Sequence, residues 1–86
     1  MASYSIEIKR SAAKELEDLP AKDRGRVIAR IRALAEDPRP PGAEKLSGQE
    51  RYRVRQGDYR ILYELRDAIL LVTVVRIGHR SDVYRR

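Results

Sequence analysis

The sequence contains no cysteine, no tryptophan and no phenylalanine, and it has a single histidine in 86 residues. The lack of cysteine excludes disulfide bonds and thiolate metal sites, and the lone His79 excludes a site built from several histidines. There is no glycine-rich phosphate loop and no nucleophile elbow. The longest apolar stretch, Ala68 to Val75, is interrupted by Thr73 and is far shorter than the roughly 20 residues of a membrane span. We therefore expect a soluble, cytoplasmic protein that uses no metal or cofactor and has no membrane partner.

Positive charge is abundant instead. The chain has 15 arginines and 4 lysines, and its formal net charge is +6. Arginine binds phosphate through two parallel hydrogen bonds, so this excess favours nucleic acid or an acidic partner. A coding bias toward arginine would give the same composition without any selection for binding. The length predicts a single domain over residues 1–86.

A predicted β-hairpin dominates the second half of the chain. Arginine alternates with tyrosine and valine from Arg51, and the two-residue Gly57-Asp58 loop predicts that Arg55 lies opposite Arg60. One face of the hairpin is then apolar, and the other face carries Arg51, Arg53, Arg55 and Arg60. Like charges directly opposite one another are destabilising, which predicts an anion between them. The alternative is that this face is only solvated.

Hydrophobic periodicity predicts the remaining elements. In chain order they are a strand over Tyr4–Lys9, a helix from the N-cap Ser11 to Pro20, a helix over Ala21–Asp37, a loop from Asp37 to Gly48, the hairpin, and a strand over Ile69–Ile77. The last strand is expected to be buried on both faces, with Arg76 paired to an acid such as Glu64. The fold class is α+β: an N-terminal strand and a helical hairpin pack on a small, mostly antiparallel sheet, in the order β-α-α-β-β-β.

Basic and aromatic side chains supply the candidate chemistry. Arginines can clamp a phosphodiester, a tyrosine can stack on an unpaired base, and the 2′-hydroxyl of RNA can serve as the nucleophile without a metal. The predicted RNA-binding residues are Arg51, Arg53, Arg55, Arg60 and Arg85, and the predicted catalytic residues are Arg55, Arg60, His79, Arg80 and Tyr84. The alternatives are a structural His79 and a packing role for Tyr84. The arginines of the second helix have two interpretations, a solvated helix surface or a contribution to an extended RNA-facing surface; they are Arg24, Arg26, Arg30 and Arg32.

Three segments together resemble one family. They are the opening Tyr-Ser-Ile-Glu-Ile-Lys-Arg-Ser-Ala-Ala-Lys-Glu-Leu, the hairpin Tyr-Arg-Val-Arg-Gln-Gly-Asp-Tyr-Arg-Ile-Leu-Tyr, and the closing Gly-His-Arg-Ser-Asp-Val-Tyr. In this order the chain is similar to toxins of the RelE/ParE superfamily of type II toxin–antitoxin systems, and it is closer to the RelE type. The resemblance implies a metal-independent endoribonuclease that cuts mRNA in the ribosomal A site and leaves a 2′,3′-cyclic phosphate. It also implies a RelB-like antitoxin as partner, with operator DNA bound only through the antitoxin complex.

The same resemblance assigns roles to individual residues. Arg53 and Arg55 match paired basic positions, Arg60 matches a phosphate clamp, Arg80 matches the residue that protonates or stabilises the leaving oxygen, and Tyr84 matches the tyrosine that orients the substrate. The familiar residues at positions 53 and 55 are lysines. Arginine stays protonated and is a poor general base, so the base is left unassigned, and His79 is a candidate to share proton transfer.

Two rival functions remain at this stage. ParE-type members share the fold but poison DNA gyrase, and they generally lack the basic and tyrosine residues that this chain mostly keeps. The other rival is an inactive module that only binds its antitoxin.

Overall fold

A computed structural model describes residues 3–46 and 50–79. Its elements are β1 (Ser5–Ile8), α1 (Arg10–Glu17), α2 (Ala21–Ala33), β2 (Glu44–Leu46), β3 (Arg51–Gln56), β4 (Tyr59–Arg66), a 3₁₀ turn (Asp67–Ile69) and β5 (Leu71–His79). The strands form one sheet in the order β1-β5-β4-β3-β2, in which β1 and β5 are parallel and the other neighbours are antiparallel. The predicted α+β class is confirmed. The sheet has one strand more than predicted.

The hairpin has the predicted register. Arg55 pairs with Arg60, Val54 with Ile61, and Tyr52 with Tyr63. Gly57 has a φ of 61°, and a glycine with positive φ at the first loop position is typical of a type II′ turn. This turn fixes which side chains share a face, because a shift of one residue would move every side chain to the opposite face.

The sheet and both helices share one apolar core. Its buried members include Val27 and Ile31 of α2, Leu34 directly after that helix, and Val54, Ile61 and Tyr63 of the hairpin. Burying each large side chain contributes about 1.5–3 kcal/mol. The rings of Tyr52 and Tyr63 stack with centroids 5.8 Å apart, and the Tyr63 hydroxyl donates a hydrogen bond to the Pro38 carbonyl at 2.7 Å. Burial, the largest influence, raises the pKa of Tyr63 to about 12. Tyr52 and Tyr63 thus lie in the core, on the face of the hairpin that the sequence pattern predicted to be apolar.

The predicted N-cap at Ser11 is wrong, because the N-cap is Lys9, two residues earlier, and α1 begins at Arg10. Parallel pairing decides the start: the Lys9 N–H donates to the Val74 carbonyl at 2.9 Å, and the Lys9 carbonyl then accepts from Ala13 at 2.8 Å. Strand pairing thus brings the chain into the helix at Lys9, and Ser11 lies inside the first turn.

The second helix ends at Ala33 rather than at the predicted Asp37. From Leu34 to Glu36 the N–H groups bond to carbonyls three residues earlier, which is a 3₁₀-like tightening of the chain. The Ala35 carbonyl also accepts from Tyr4, next to β1. The helical pattern therefore ends where the chain accepts a hydrogen bond from the residue next to the N-terminal strand. In the described ranges, neither helix is long and apolar enough to cross a membrane.

Strand β2 lies within a segment predicted to be a loop. Its three residues pair with Arg51–Arg53 of β3 through the backbone, and Glu44 and Lys45 are exposed. A short, charged edge strand lacks the apolar alternation by which strands are recognised. This explains why the sequence pattern did not indicate it.

The last strand starts at Leu71, not Ile69, because the 3₁₀ turn and a left-handed Leu70 (φ 51°) reverse the chain. The prediction that both faces are buried is wrong. Val72 and Val74 are buried, whereas Leu71 and Thr73 are only partly covered. An irregularity follows, in which Tyr63 pairs with Val74 but Leu62 pairs with Arg76, so Val75 is an extra residue.

Arg76 does not pair with Glu64, contrary to the sequence-based expectation. Its Nε donates to Glu15 Oε2 of α1 at 2.9 Å, and the Ile77 N–H donates to Glu15 Oε1 at 2.8 Å. Because β1 pairs with β5 only as far as Val74, the Glu15 carboxylate serves as the hydrogen-bond acceptor for β5 beyond the end of β1.

Candidate functional site

The solvent-facing side of the hairpin brings three of the predicted arginines together. Arg55 and Arg60 are direct cross-strand partners, and Arg53 lies two residues from Arg55 on the same face. Such opposed like charges cost some tenths of a kcal/mol up to about 1 kcal/mol. The placement that the register predicted for these three residues is confirmed.

These arginines line a cavity of about 270 Å³, which we call the arginine pocket. Its lining residues are Arg30, Gly42, Glu44, Arg53, Arg55 and Arg60. Strand β2 pairs with β3 only up to Arg53, so the pocket lies at the edge where β3 continues past β2. Side chains from the helix side and from the outer face of the sheet meet there, and four guanidinium groups share the pocket with one carboxylate.

Arg53 illustrates the electrostatics of the pocket. Its guanidinium forms an ion pair with Glu44, but the Glu44 side chain is 61% exposed and the Arg53 side chain only 23% exposed. Burial, followed by the positive charges of Arg60 and Arg55, lowers the pKa of Arg53 below its ordinary value. Solvent weakens the attraction of the exposed carboxylate, whereas the neighbouring guanidinium groups disfavour the charged form. An anion entering the pocket would relieve this repulsion.

Arg51 lies outside the arginine pocket. Its Nη2 is 2.5 Å from Glu64 Oε2, its direct cross-strand partner on β4. The outward-facing arginines are therefore not equivalent. Arg51 and Arg53 each have a carboxylate opposite them in the register, Glu64 and Glu44 respectively, whereas Arg55 and Arg60 face each other.

His79 lies on the other face of the sheet from Arg60. It pairs with Tyr59 in the register, and the two rings meet edge to face with centroids 6.0 Å apart. Together with Asp23, Arg26 and the Gly57 turn they line a separate cavity of about 340 Å³. The Tyr59 hydroxyl donates to Asp23 at 3.1 Å, and burial followed by this hydrogen bond raises the pKa of Tyr59. Among the described residues, His79 therefore lies apart from Arg53, Arg55 and Arg60 of the arginine pocket.

The remaining predicted site residues, Arg80, Tyr84 and Arg85, lie outside the described residues.

Arg30 was not singled out as a site residue from the sequence. It follows Asp23 by seven residues, about two helical turns, so both side chains project from the same side of α2 as the buried Val27. The signal available in the sequence was the spacing of three residues between Arg30 and the core position Val27, but nothing in the sequence alone showed that α2 runs beside the hairpin.

A second arginine cluster lies away from the pocket. Arg39 donates to both oxygens of Asp67, at 3.2 and 2.8 Å, and its Nε donates to the Tyr52 hydroxyl at 2.9 Å. The Tyr4 hydroxyl also donates to Asp67 Oδ1 at 2.6 Å. Glu50 Oε1 lies 3.7 Å from Arg39 Nη2. We call these five residues the Arg39 cluster. The hydrogen bonds from Arg39 and then from Tyr4 hold the pKa of Asp67 at about 2, below its usual 3.8.

Solved structures of toxins share this fold. The chain matches the toxin–antitoxin complex RelBE2 from Mycobacterium tuberculosis with a TM-score of 0.83 and 26% identity, over 95% of this chain and 97% of that chain. It matches the isolated RelE toxin of Escherichia coli with a TM-score of 0.78 and 27% identity, over 96% and 92% of the two chains. The fold and its basic edge therefore define the class of small RelE-like toxins.

Sequence comparison gives the same result. Toxin RelG of Mycobacterium tuberculosis is 30% identical over 87 residues, covering 96% of this chain and 98% of that protein. The sequence model described as the ParE toxin of the type II toxin–antitoxin system parDE matches residues 6–84. The chain belongs to this family of type II toxins, within the RelE/ParE superfamily.

Proposed function

We propose that this toxin is a ribosome-dependent mRNA endoribonuclease that inhibits translation in the cytoplasm, acting as a single domain over residues 1–86. The observation that carries the proposal is the arginine pocket, in which Arg55 and Arg60 are held directly opposite one another beside Arg53. An apolar partner would gain nothing from this charge, whereas an RNA phosphate would offset it.

The pocket suits phosphodiester cleavage by the RNA's own 2′-hydroxyl. The hydroxyl attacks the adjacent phosphorus in line, the bond to the 5′-oxygen breaks, and the products are a 2′,3′-cyclic phosphate and a 5′-hydroxyl. Arg55 and Arg60 bind the phosphate and stabilise the negative charge that develops on its oxygens in the transition state. Removing one such donor typically costs about 10²- to 10³-fold in rate.

Fewer residues are assigned to proton transfer than to phosphate binding. Arg53 remains protonated at neutral pH even though its pKa is lowered, so its role is to bind phosphate and not to act as a base. Arg80 donates to or stabilises the leaving 5′-oxygen, and Tyr84 orients the substrate, as the family resemblance implies. His79 belongs to the opposite face of the sheet and is not assigned to the step at the arginine pocket.

A cognate antitoxin is the second proposed partner. The similar structure from Mycobacterium tuberculosis is a toxin–antitoxin complex, and another similar structure is an archaeal RelE–RelB complex from Pyrococcus horikoshii. We infer a RelB-like antitoxin for this chain, with operator DNA contacted only through that complex. An acidic segment of the antitoxin over the arginine pocket would block RNA.

A gyrase poison is the second candidate function, and the match of residues 6–84 to the ParE toxin model favours it. Against it stands the clustering of arginines at one edge of the sheet, which inhibition of gyrase does not require. The two candidates differ in what stops first after induction: translation for the endoribonuclease, replication for the gyrase poison.

Primer extension on a defined mRNA tests the proposal. Purified toxin is incubated with that mRNA with and without translating ribosomes, and in parallel with gyrase and supercoiled DNA. Cuts within A-site codons that require ribosomes are expected, and Arg80→Ala should reduce them by orders of magnitude. Inhibition of gyrase by folded protein without any RNA cleavage would select the second candidate.

A further inference from the structure

The arginine pocket includes one residue that neither the hairpin register nor the family resemblance assigns to the site. Arg30 comes from α2, on the helix side of the sheet, and lines the pocket with Arg53, Arg55 and Arg60. Its backbone lies in the last turn of a 13-residue helix, and the neighbouring positions Val27 and Ile31 are buried. The helix is therefore firmly packed, and Arg30 projects from a rigid support.

The Arg30 side chain has a hydrogen-bonding group without a partner. Its Nε is buried, and no acceptor among the described residues bonds to it. Buried donors in folded proteins almost always have an acceptor, and leaving one without an acceptor costs free energy. A charged guanidinium beside three other guanidinium groups adds to this cost. Both features would be satisfied by one ligand, an anion with several acceptor oxygens.

The other arginines of α2 are placed differently. Arg24 donates to the carbonyls of Glu17 and Leu19 at 3.1 and 3.2 Å, and so it closes the turn between the helices. Arg26 lines the cavity of the Gly57 turn. Arg32 lines an apolar groove beside Ile8 and Ile28. The general basicity of the helix thus does not explain the position of Arg30, because the described structure gives each of the four arginines a separate environment.

We propose that Arg30 is a substrate-binding residue of the toxin, the fourth arginine that contacts a phosphate of the RNA strand in the arginine pocket. This inference rests on the proposed endoribonuclease function and deepens it. Arg55 and Arg60 contact the phosphate from the outer face of the sheet. Arg30 contacts it from the helix side, at the edge of β3 that extends past the end of β2. Contacts from two sides fix the orientation of the phosphate as well as its position.

Inorganic phosphate tests the anion site without depending on cleavage. In proton–nitrogen spectra of the toxin, the Arg30 Nε–H signal is assigned by its loss in Arg30→Lys and then followed as phosphate is added. We expect this signal to shift along one saturable curve together with the Nε–H signals of Arg55 and Arg60. If the latter two shift and the Arg30 signal does not, Arg30 is not part of the anion site.

Cleavage on programmed ribosomes tests the role toward RNA. Arg30→Gln should lower kcat/KM by about 10- to 100-fold, as expected for the loss of one charge-assisted hydrogen bond. The slope of log KM against log salt concentration should also decrease by about one, the value for one lost phosphate contact. Arg30→Lys should recover part of the activity. Arg32→Gln removes the same charge from the same helix on a different side, and it should leave cleavage and salt dependence unchanged.

The outcomes separate the two proposals. Wild-type toxin that binds phosphate through Arg30 but never cuts RNA would overturn the endoribonuclease function and leave the anion site in place. Wild-type toxin that cuts RNA while Arg30→Gln cuts equally well, at an unchanged melting temperature, would overturn the role of Arg30 alone. A lower activity of Arg30→Gln with unchanged salt dependence, and without recovery in Arg30→Lys, would indicate a packing role and would also overturn it.

Discussion

Two clusters of arginine in this toxin differ in how their charge is balanced. In the Arg39 cluster, one guanidinium faces Asp67, the Tyr52 hydroxyl and the more distant Glu50. In the arginine pocket, the described lining residues place four guanidinium groups beside one carboxylate, that of the exposed Glu44. The pKa values move in opposite directions: hydrogen bonds to Asp67 and then to Tyr52 raise the pKa of Arg39, whereas burial and then Arg60 and Arg55 lower the pKa of Arg53.

This difference separates an arginine that stabilises the fold from the arginines that we propose bind RNA. Arg39 ties the loop after α2 to the 3₁₀ turn that precedes β5, so its partners lie within the fold. The pocket arginines are held close together by strand register although they repel one another, which is an arrangement that an external anion would stabilise. Changes in the two clusters should therefore separate stability from activity.

The largest expected effect is the loss of activity in Arg60→Gln. Cleavage on programmed ribosomes should fall by about 10²- to 10³-fold, because a donor to the transition-state charge is lost. The melting temperature should change little, because loss of the Arg60 charge also removes the repulsion opposite Arg55. Single-turnover cleavage and thermal unfolding on the same preparation measure both. Arg66→Gln, an equal charge change at the exposed end of β4, is the matched control.

Arg39→Gln should show the reverse behaviour. Losing the paired hydrogen bonds to Asp67 and the bond to Tyr52 should lower the free energy of unfolding by roughly 1–2 kcal/mol, a value discounted because the Arg39 side chain is 42% exposed. Cleavage per folded molecule should be unchanged. Urea unfolding gives the stability, and a large loss of cleavage by fully folded Arg39→Gln would erase the distinction between the clusters.

Tyr63→Phe should lie between these cases in stability. Tyr63 is fully buried, and its hydroxyl donates to the Pro38 carbonyl in the loop that leads to Arg39. Removing the hydroxyl should cost about 1 kcal/mol of unfolding free energy, because that partly buried acceptor loses its donor. Cleavage should persist. An unchanged urea midpoint would mean that the hydrogen bond to Pro38 makes no net contribution.

The smallest effect concerns the pH dependence of Asp67. Its pKa of about 2 in the folded protein is below its ordinary 3.8, so its contribution to stability is fully present above pH 4. This contribution is lost as the pH falls through about 2, where the folded protein also takes up the proton. Asp67→Asn should therefore be less stable than the wild type at pH 7, and the difference in melting temperature should shrink between about pH 4 and 2. A difference that stays constant across this range would contradict the account of the Arg39 cluster.

Local sequence pattern predicted the hairpin in detail. The Gly57-Asp58 turn fixed the register, and alternation then placed Arg53, Arg55 and Arg60 on one face. Features that depend on distant parts of the chain were not predictable in this way. The start of α1 is set by the hydrogen bond from the Lys9 N–H to the Val74 carbonyl. Strand β2 pairs through its backbone without an apolar pattern, and Arg76 donates to Glu15 of α1.

The site was predictable to a similar extent. The outward face of the hairpin follows from period-two alternation. The presence of Arg30 in the arginine pocket depends instead on the packing of α2 beside β3. The separation of His79 from Arg60 follows from their positions on β5 and β4, which pair His79 with Tyr59. The sequence alone shows neither where α2 lies relative to the hairpin nor where the end of β5 lies relative to the start of β4.

The central claim is that the crowded arginine pocket is where this toxin acts on RNA. The most direct test is primer extension on translating ribosomes with wild-type toxin and the Arg55→Gln/Arg60→Gln double variant side by side, after unfolding curves show both to be folded. The account predicts A-site cuts with 5′-hydroxyl ends for the wild type and none above background for the double variant. Equal cutting by the two folded proteins would contradict it.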